Sequence, residues 1–249
     1  FKQKTAYEIR PRDWSSDVCS SDLSDGLRCG SGRGFMAWRG VARWRVGSTL
    51  VLSTVLTVGA VILAAGASVR LGRPKQLLEI DGQPLVVRAA EAALGAGAAP
   101  VVVVLGANAE QIRPVLRGVD VGLVLNQDWN DGMASSVRAG LHALGQITLR
   151  LDAVLLAVCD QPAFDARAAR RLVESLQAST RGMAAARYAG RNGVPAIFRR
   201  EHFFALSRLK GDQGARALLQ GKPDDVIPVD LPDLALDLDT PEDLAKWQG

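Results

Sequence analysis

The run Val61-Ile-Leu-Ala-Ala-Gly-Ala-Ser-Val-Arg-Leu-Gly-Arg-Pro-Lys-Gln76 decides how this chain is read. An apolar strand passes directly into a loop punctuated by Gly66 and Gly72 and carrying Arg70 and Lys75. Glycines let backbone amides approach a ligand closely, and N–H groups beside two positive side chains suit phosphate oxygens. The loop therefore reads as a holder for a polyphosphate. It contains neither G-x-x-x-x-G-K-[ST] nor G-x-G-x-x-G, so the P-loop and the dinucleotide-binding turn are both excluded.

Outward from this loop, apolar runs alternate with Ala-rich helical stretches. The pattern predicts strands over 58–64, 100–105, 121–125 and 152–158, and helices over 84–96, 109–116, 132–144 and 167–179. Strands that are apolar throughout, each followed by a helix, imply an α/β fold with a mainly parallel sheet covered on both faces. Short strands over 193–198, 226–229 and 234–238 predict a mixed carboxyl-terminal edge closing over the ligand. Residues 58–249, roughly 190 in all, suit one domain with ample core.

In open sheets of this kind ligands sit beyond the carboxyl ends of the strands. Asp160 ends the run Ala153-Val-Leu-Leu-Ala-Val158 in Cys-Asp-Gln-Pro162, where proline stops the ladder and leaves a carboxylate at the rim, suited to Mg2+. Asp239 follows Leu234-Ala-Leu-Asp-Leu238 in the same way. Thr240 then caps a helix with Pro241 at its first position and Asp243 at the capping-box position. In Asn126-Gln-Asp-Trp-Asn-Asp-Gly-Met-Ala-Ser-Ser-Val137, the residues Gly132, Ser135 and Ser136 put small groups and N–H donors at a helix start where a base can lie flat. The segment Leu209-Lys-Gly-Asp-Gln-Gly-Ala-Arg-Ala-Leu-Leu219 offers Asp212 as a cap and Arg216 as a cation facing an anionic acceptor.

The order Leu-Ala-Ala-Gly-x-Ser-x-Arg-Leu-Gly-x-x-Lys resembles the signature of nucleotidyltransferases that activate a phosphorylated acceptor with a nucleoside triphosphate. With Gly-Met-x-Ser-Ser, Asp-Gln-Pro, Leu-x-Gly-Asp-x-Gly-Ala-Arg-x-Leu-Leu and Asp-x-Asp-Thr-Pro-Glu-Asp following in order, the chain looks most like the MobA-like molybdenum cofactor cytidylyltransferases. The resemblance implies a three-layer, Rossmann-like nucleotidyltransferase fold with a mainly parallel, mixed sheet. It implies transfer of CMP from CTP to the terminal phosphate of molybdopterin, with release of pyrophosphate. Leu63, Ala64, Ala65, Gly66, Ser68, Arg70 and Lys75 would hold the triphosphate, and Gly132, Ser135 and Ser136 the cytidine. Arg70, Lys75 and Asp160 would be the catalytic set, with Mg2+ on Asp160 and Asp239. The Ala64-Ala65 pair resembles the cytidine-using branch, glycine being usual at the second position in the guanosine-using branch. Where the family often has a polar residue before the proline, Val194 stands here, which removes a side-chain hydrogen bond to the pterin. Two alternatives remain open. One is a nucleotidyltransferase acting on a sugar or alcohol phosphate; the other is a non-catalytic carrier delivering finished cofactor to a molybdenum hydroxylase, itself a candidate partner along with its maturation chaperone.

Residues 1–23 are expected to be translated sequencing-adapter DNA, since Trp14-Ser-Ser-Asp-Val-Cys-Ser-Ser-Asp-Leu23 is what such an adapter encodes in frame. Residues 24–57 are then either an amino-terminal extension or upstream DNA read in frame, with Met36 offering one start. Of the 30 Lys+Arg and 26 Asp+Glu, 9 and 5 fall in residues 1–57, leaving 21 and 21 for the domain. The basic pI of about 9.2 is therefore foreign to the domain, and nucleic acid is excluded as a partner. Residues 47–65 are uncharged, but five of them are Ser or Thr and the last third is the strand that delivers Gly66, so a membrane anchor is not expected. The three cysteines draw no disulfide or metal spacing, which points to reducing cytoplasm.

Overall fold

The computed structural model describes residues 56–248, so the readings of 1–23 and of the extension up to residue 55 lie outside the described residues. In chain order the elements are β1 (Val58–Ala64), a small hairpin of β2 (Glu79–Ile80) and β3 (Gln83–Pro84), α1 (Leu85–Gly95), β4 (Val101–Leu105), α2 (Ala109–Ile112), β5 (Gly122–Leu125) and α3 (Met133–Ile147). They continue with β6 (Ala153–Val158), α4 (Ala166–Gln177), β7 (Met183–Tyr188), β8 (Arg191–Arg199), α5 (Phe203–Ser207), α6 (Arg216–Gly221), β9 (Val226–Asp230) and α7 (Pro241–Gln248).

Seven strands form one sheet in the order β5-β4-β1-β6-β8-β7-β9. Only β8 runs against the others: it pairs antiparallel with β6 and β7, while every other neighbouring pair is parallel. This is the mainly parallel, mixed sheet of a three-layer, Rossmann-like α/β fold. Alternate strand residues feed opposite faces, as the two-residue period demands. Ala60 and Ile62 of β1 pack with α1, α2 and α4, whereas Val61 and Leu63 pack with α3, α5 and α6. From β1 the chain steps outward to β4 and β5, then crosses back through α3, on the opposite face, to β6. The strand order thus reverses between β1 and β6, and a reversal of this kind opens a crevice at the carboxyl ends of the two strands.

Three expectations are corrected, and one strand was not foreseen. The helix expected over 109–116 is α-helical only to Ile112 and continues as a 3-10 turn through Arg113–Leu116, because Pro114 has no N–H to donate. The strand expected over 234–238 does not form. Pro232–Ala235 is a 3-10 turn, and Leu238 N donates instead to Asp160 O at 2.8 Å. Asp212 does not cap a helix, since α6 starts only at Arg216 with Ala215 in the cap position. Finally, Met183–Tyr188 is a central strand that its Ala-rich sequence did not suggest. Among the described residues no helix is long and apolar enough to cross a membrane.

Candidate functional site

The loop leaving β1 is held in shape from within. Ala64 and Ala65 are buried at the strand end, while Gly66 is exposed, and a side chain there would meet nothing within 4 Å. The left-handed backbone lies further on, at Ser68 (φ 57°) and Gly72 (φ 72°), rather than at Gly66. Gln76, almost wholly buried, donates through Nε2 to the carbonyls of Ala64 (3.0 Å) and Gly66 (2.8 Å), and its Oε1 accepts from Ser68 Oγ at 3.2 Å. Ser68 Oγ in turn accepts from Lys75 N at 3.1 Å. Sequence reasoning passed over Gln76; its amide satisfies backbone carbonyls that the tight loop leaves without partners.

The structure brings Arg70, Lys75, Asp160 and Asp239 together at the crevice. Lys75 Nζ lies 2.5 Å from Asp160 Oδ2 and 2.7 Å from Asp239 Oδ1, and Arg70 Nη2 lies 2.6 Å from Asp239 Oδ2. Burial alone would depress the Lys75 ammonium, but the charge and hydrogen bond of Asp160, with Asp239, outweigh it and hold it above the usual lysine range. The Asp239 carboxyl is raised by burial, yet Lys75 and then Arg70 bring it below its ordinary value. A third carboxylate, Asp237, was not foreseen. Asp237 is an exposed residue whose carboxyl nonetheless gives up part of its water. That loss of water, followed by the negative charges of Asp160 and Asp239, pushes it up to about 6. Burial and the adjacent Asp160 push the Cys159 thiol up to about 12, which rules out a thiolate nucleophile at neutral pH.

Asp239 is positioned by α7. Thr240 Oγ1 accepts from Asp243 N at 3.3 Å, and Asp243 Oδ2 accepts from Thr240 N at 3.1 Å, a reciprocal cap as expected. Leu71 and Leu78 of the loop pack with Leu238, Leu244 and Trp247, tying the acid to the cations' own loop.

Gly132, Ser135 and Ser136 stand at the start of α3, but the two hydroxyls are already engaged. Asn126 Nδ2 donates to Ser135 Oγ (2.8 Å) and Ser136 Oγ (3.0 Å), and Ser135 Oγ donates to Gly132 O at 2.8 Å. The amides of Ala134 and Ser135 are likewise bonded, to Gly211 O (3.0 Å) and Gly132 O (3.1 Å). What this helix start offers a flat ligand is small size more than free donors. The loop from Leu209 to Gly214 lies directly on it: a Cβ on Gly132 (φ 94°) would lie 2.5 Å from Gly211 O, and Arg138 Nη1 donates to Leu209 O at 2.7 Å. Nearby, buried Gln161 donates through Nε2 to Tyr188 Oη, Val194 O and Leu234 O at 3.2–3.3 Å, joining β6, β8 and the carboxyl-terminal segment. Burial, with the negative charge of Asp237, raises the Tyr188 phenol against the hydrogen bond from Gln161 and the charges of Arg216 and Arg191. A separate cleft of about 370 Å³, lined by Arg171, Glu174 and Asp230 among others, holds none of these groups.

Residues 60–232 match the family model described as MobA-like NTP transferase domain. Over 201 residues the chain is 36% identical to nicotine blue oxidoreductase of Paenarthrobacter nicotinovorans, a match covering 76% of this chain and 95% of that protein. Among solved structures, Rv0371c from Mycobacterium tuberculosis H37Rv superimposes with a TM-score of 0.67 at 29% identity, covering 78% of this chain and 98% of that one. A manganese complex of the same mycobacterial protein superimposes at 0.62. A nucleotidyl transferase from Methanothermobacter thermautotroptrophicus does so at 0.65 with 25% identity, covering 77% of this chain and 95% of that one.

Proposed function

The chain belongs to the MobA-like NTP transferase domain family, and we propose that within it this protein transfers CMP from CTP to the terminal phosphate of molybdopterin, releasing pyrophosphate. One observation carries the reading. The carboxylates of Asp160 and Asp239 converge on Lys75 at the switch point of the sheet, where a triphosphate gripped by the β1 loop would lie.

A divalent cation fits this place. Asp160 Oδ1 is buried with no hydrogen-bond partner among the described residues, and the two carboxylates share the positive charge of Lys75. Hard oxygen donors of this kind suit Mg2+, which when bound supplies positive charge against the triphosphate. Asp160 and Asp239 would hold it. Arg70, with its guanidinium at the surface, and Lys75 offset the charge of the β- and γ-phosphates and of the departing pyrophosphate. The acceptor phosphate is itself an anion near neutral pH and attacks the α-phosphorus directly, so no general base is needed. The work of the chain is to bring two anions together in line and to neutralise the transferred group. Arg216, whose buried Nε has no hydrogen-bond partner among the described residues and whose charge is felt by Tyr188, would be the cation offered to the acceptor. The reaction would run in the cytoplasm, with delivery to a molybdenum hydroxylase or its chaperone.

The deciding assay measures pyrophosphate release from each of the four nucleoside triphosphates, with and without molybdopterin, in wild type and Asp160→Asn. Release that requires CTP, Mg2+ and molybdopterin, and that vanishes in the variant with the fold intact, is expected. Turnover of a sugar or alcohol phosphate instead would move the acceptor, and near-normal turnover in Asp160→Asn would remove that residue from the chemistry. The full-length likeness to a protein named an oxidoreductase favours one second reading, a redox reaction in the same crevice. Oxidation or reduction of nicotine blue, with no pyrophosphate formed from any triphosphate, would select it.

A further inference from the structure

At the end of the sheet opposite the nucleotide loop, three strand termini bring an imidazole and two carboxylates together. His202 lies just after β8, whose last residue, Arg199, pairs with Ala153 at the start of β6; Asp225 lies just before β9, and Gly182 just before β7. His202 is buried, yet its Nε2 is 2.8 Å from Asp225 Oδ2 and 3.7 Å from Glu201 Oε1. The three donor atoms all lie within 4.8 Å of one another.

We propose that Glu201, His202 and Asp225 form a structural site for a divalent transition-metal ion of the Zn2+ class. The argument beyond proximity comes from Gly182. A Cβ at this position would overlap His202 Nε2 and would lie 2.7 Å from both Asp225 Oδ2 and Glu201 Oε1. All three donors therefore face one small volume that any side chain at 182 would fill, and the glycine keeps it clear. The Gly182 N–H does further work, donating to Asp225 Oδ1 at 2.6 Å and so fixing the carboxylate with Oδ2 turned towards the imidazole. Outer hydrogen bonds of this kind commonly orient metal ligands.

One imidazole nitrogen and two carboxylate oxygens make a borderline donor set that matches Zn2+ in softness and, with two negative charges, in charge. The carboxylate of Asp225 can only accept, so Nε2 carries the proton between them; to ligate a metal through Nε2 the imidazole keeps its single proton on Nδ1 and stays neutral, and water completes the coordination. The ion would brace the ends of β7, β8 and β9, far from the triphosphate. The site is thus independent of the transferase reading.

The chain's two histidines make the test direct, because His142 is exposed on α3 and serves as an internal control. Zn2+ is titrated into the 15N-labelled full chain while the imidazole resonances and the melting temperature are followed. The His202 signals should change while those of His142 stay, and the melting temperature should rise. Glu201→Gln, at a largely exposed side chain, should melt like wild type without metal but bind Zn2+ about 10-fold or more weakly. Asp160→Asn should leave the His202 response unchanged. His202 signals unmoved at about 1 mM Zn2+, wild-type affinity in Glu201→Gln, or a response lost in Asp160→Asn would each overturn the proposal.

Discussion

Replacing Lys75 with methionine separates two uses of the same ammonium group. Nζ stands between Asp160 and Asp239, at 2.5 and 2.7 Å, where the proposed catalytic cation would bind. Each contact is worth about 6 kcal/mol of gross attraction at an effective dielectric of about 20. Desolvation cancels most of that, and with the three side chains 16–28% exposed the net loss on truncation should be about 1–3 kcal/mol. The sign with pH is fixed. Because Lys75 is raised in the folded state, its contribution is fully present below the usual lysine value of about 10.5, so the loss is felt at pH 7. Without the ammonium the carboxylates repel each other, and a divalent cation no longer has to displace a competitor. Lys75→Met should therefore melt lower than wild type in EDTA but gain more from Mg2+, while turnover falls by about 10²- to 10³-fold. Thermal melts across a Mg2+ series, paired with pyrophosphate release, give both readouts. A Mg2+-induced rise equal to or smaller than that of wild type would refute the shared position.

Gln76→Ala should cost about 2–4 kcal/mol in chemical denaturation, because it strips partners from the carbonyls of Ala64 and Gly66 together; a change under about 0.5 kcal/mol would show that the loop does not depend on this amide. Asp237 carries a folded-state value of about 6, above the 3.8 of an unperturbed aspartate, so its ionisation opposes folding as pH rises through that window. Asp237→Asn should thus raise the melting temperature at pH 7.5 and lose the gain near pH 4, and a gain independent of pH would contradict the charge crowding. Gly132→Ala must relieve a positive φ and a collision with Gly211, so it should destabilise by about 2 kcal/mol or more and loosen Leu209–Gly214, seen as faster amide exchange in that loop.

How much of this could be read in advance depended on whether the signal was local. The parallel strands were legible because β1, β4 and β6 are apolar throughout, and a strand buried on both faces has no other composition. Strand β7 was not, because Met183-Ala-Ala-Ala186 has the make-up of a helix and becomes a strand only between β8 and β9. Leu234, Leu236 and Leu238 showed a strand's alternation, yet Leu234 packs into the core beneath the sheet while Leu236 and Leu238 pack over the loop, and the Leu238 amide is taken by the Asp160 carbonyl rather than by a neighbouring strand. Asp160 and Asp239 stood out as acids at the ends of apolar runs. Gln76 and Asp237 did not, because what defines them is a contact made elsewhere: two carbonyls 10 and 12 residues back for one, and the charge of Asp160 for the other.

The four charged groups are not equally committed to their mutual contacts, and the inequality suits the proposed chemistry. Asp160 is fixed by the end of β6, and Asp239 by the α7 cap and the leucine cluster beneath it. Arg70 is 71% exposed on a 3-10 turn. An exposed ion pair contributes only about 0–1 kcal/mol, so Arg70 loses little in exchanging Asp239 for a phosphate oxygen. Lys75 is enclosed and pays more to move, which makes it the group that balances the acids until a ligand brings cation and triphosphate together. Rigid carboxylates with one loosely and one tightly held cation would thus let both positive charges turn towards a triphosphate with no rearrangement of the sheet.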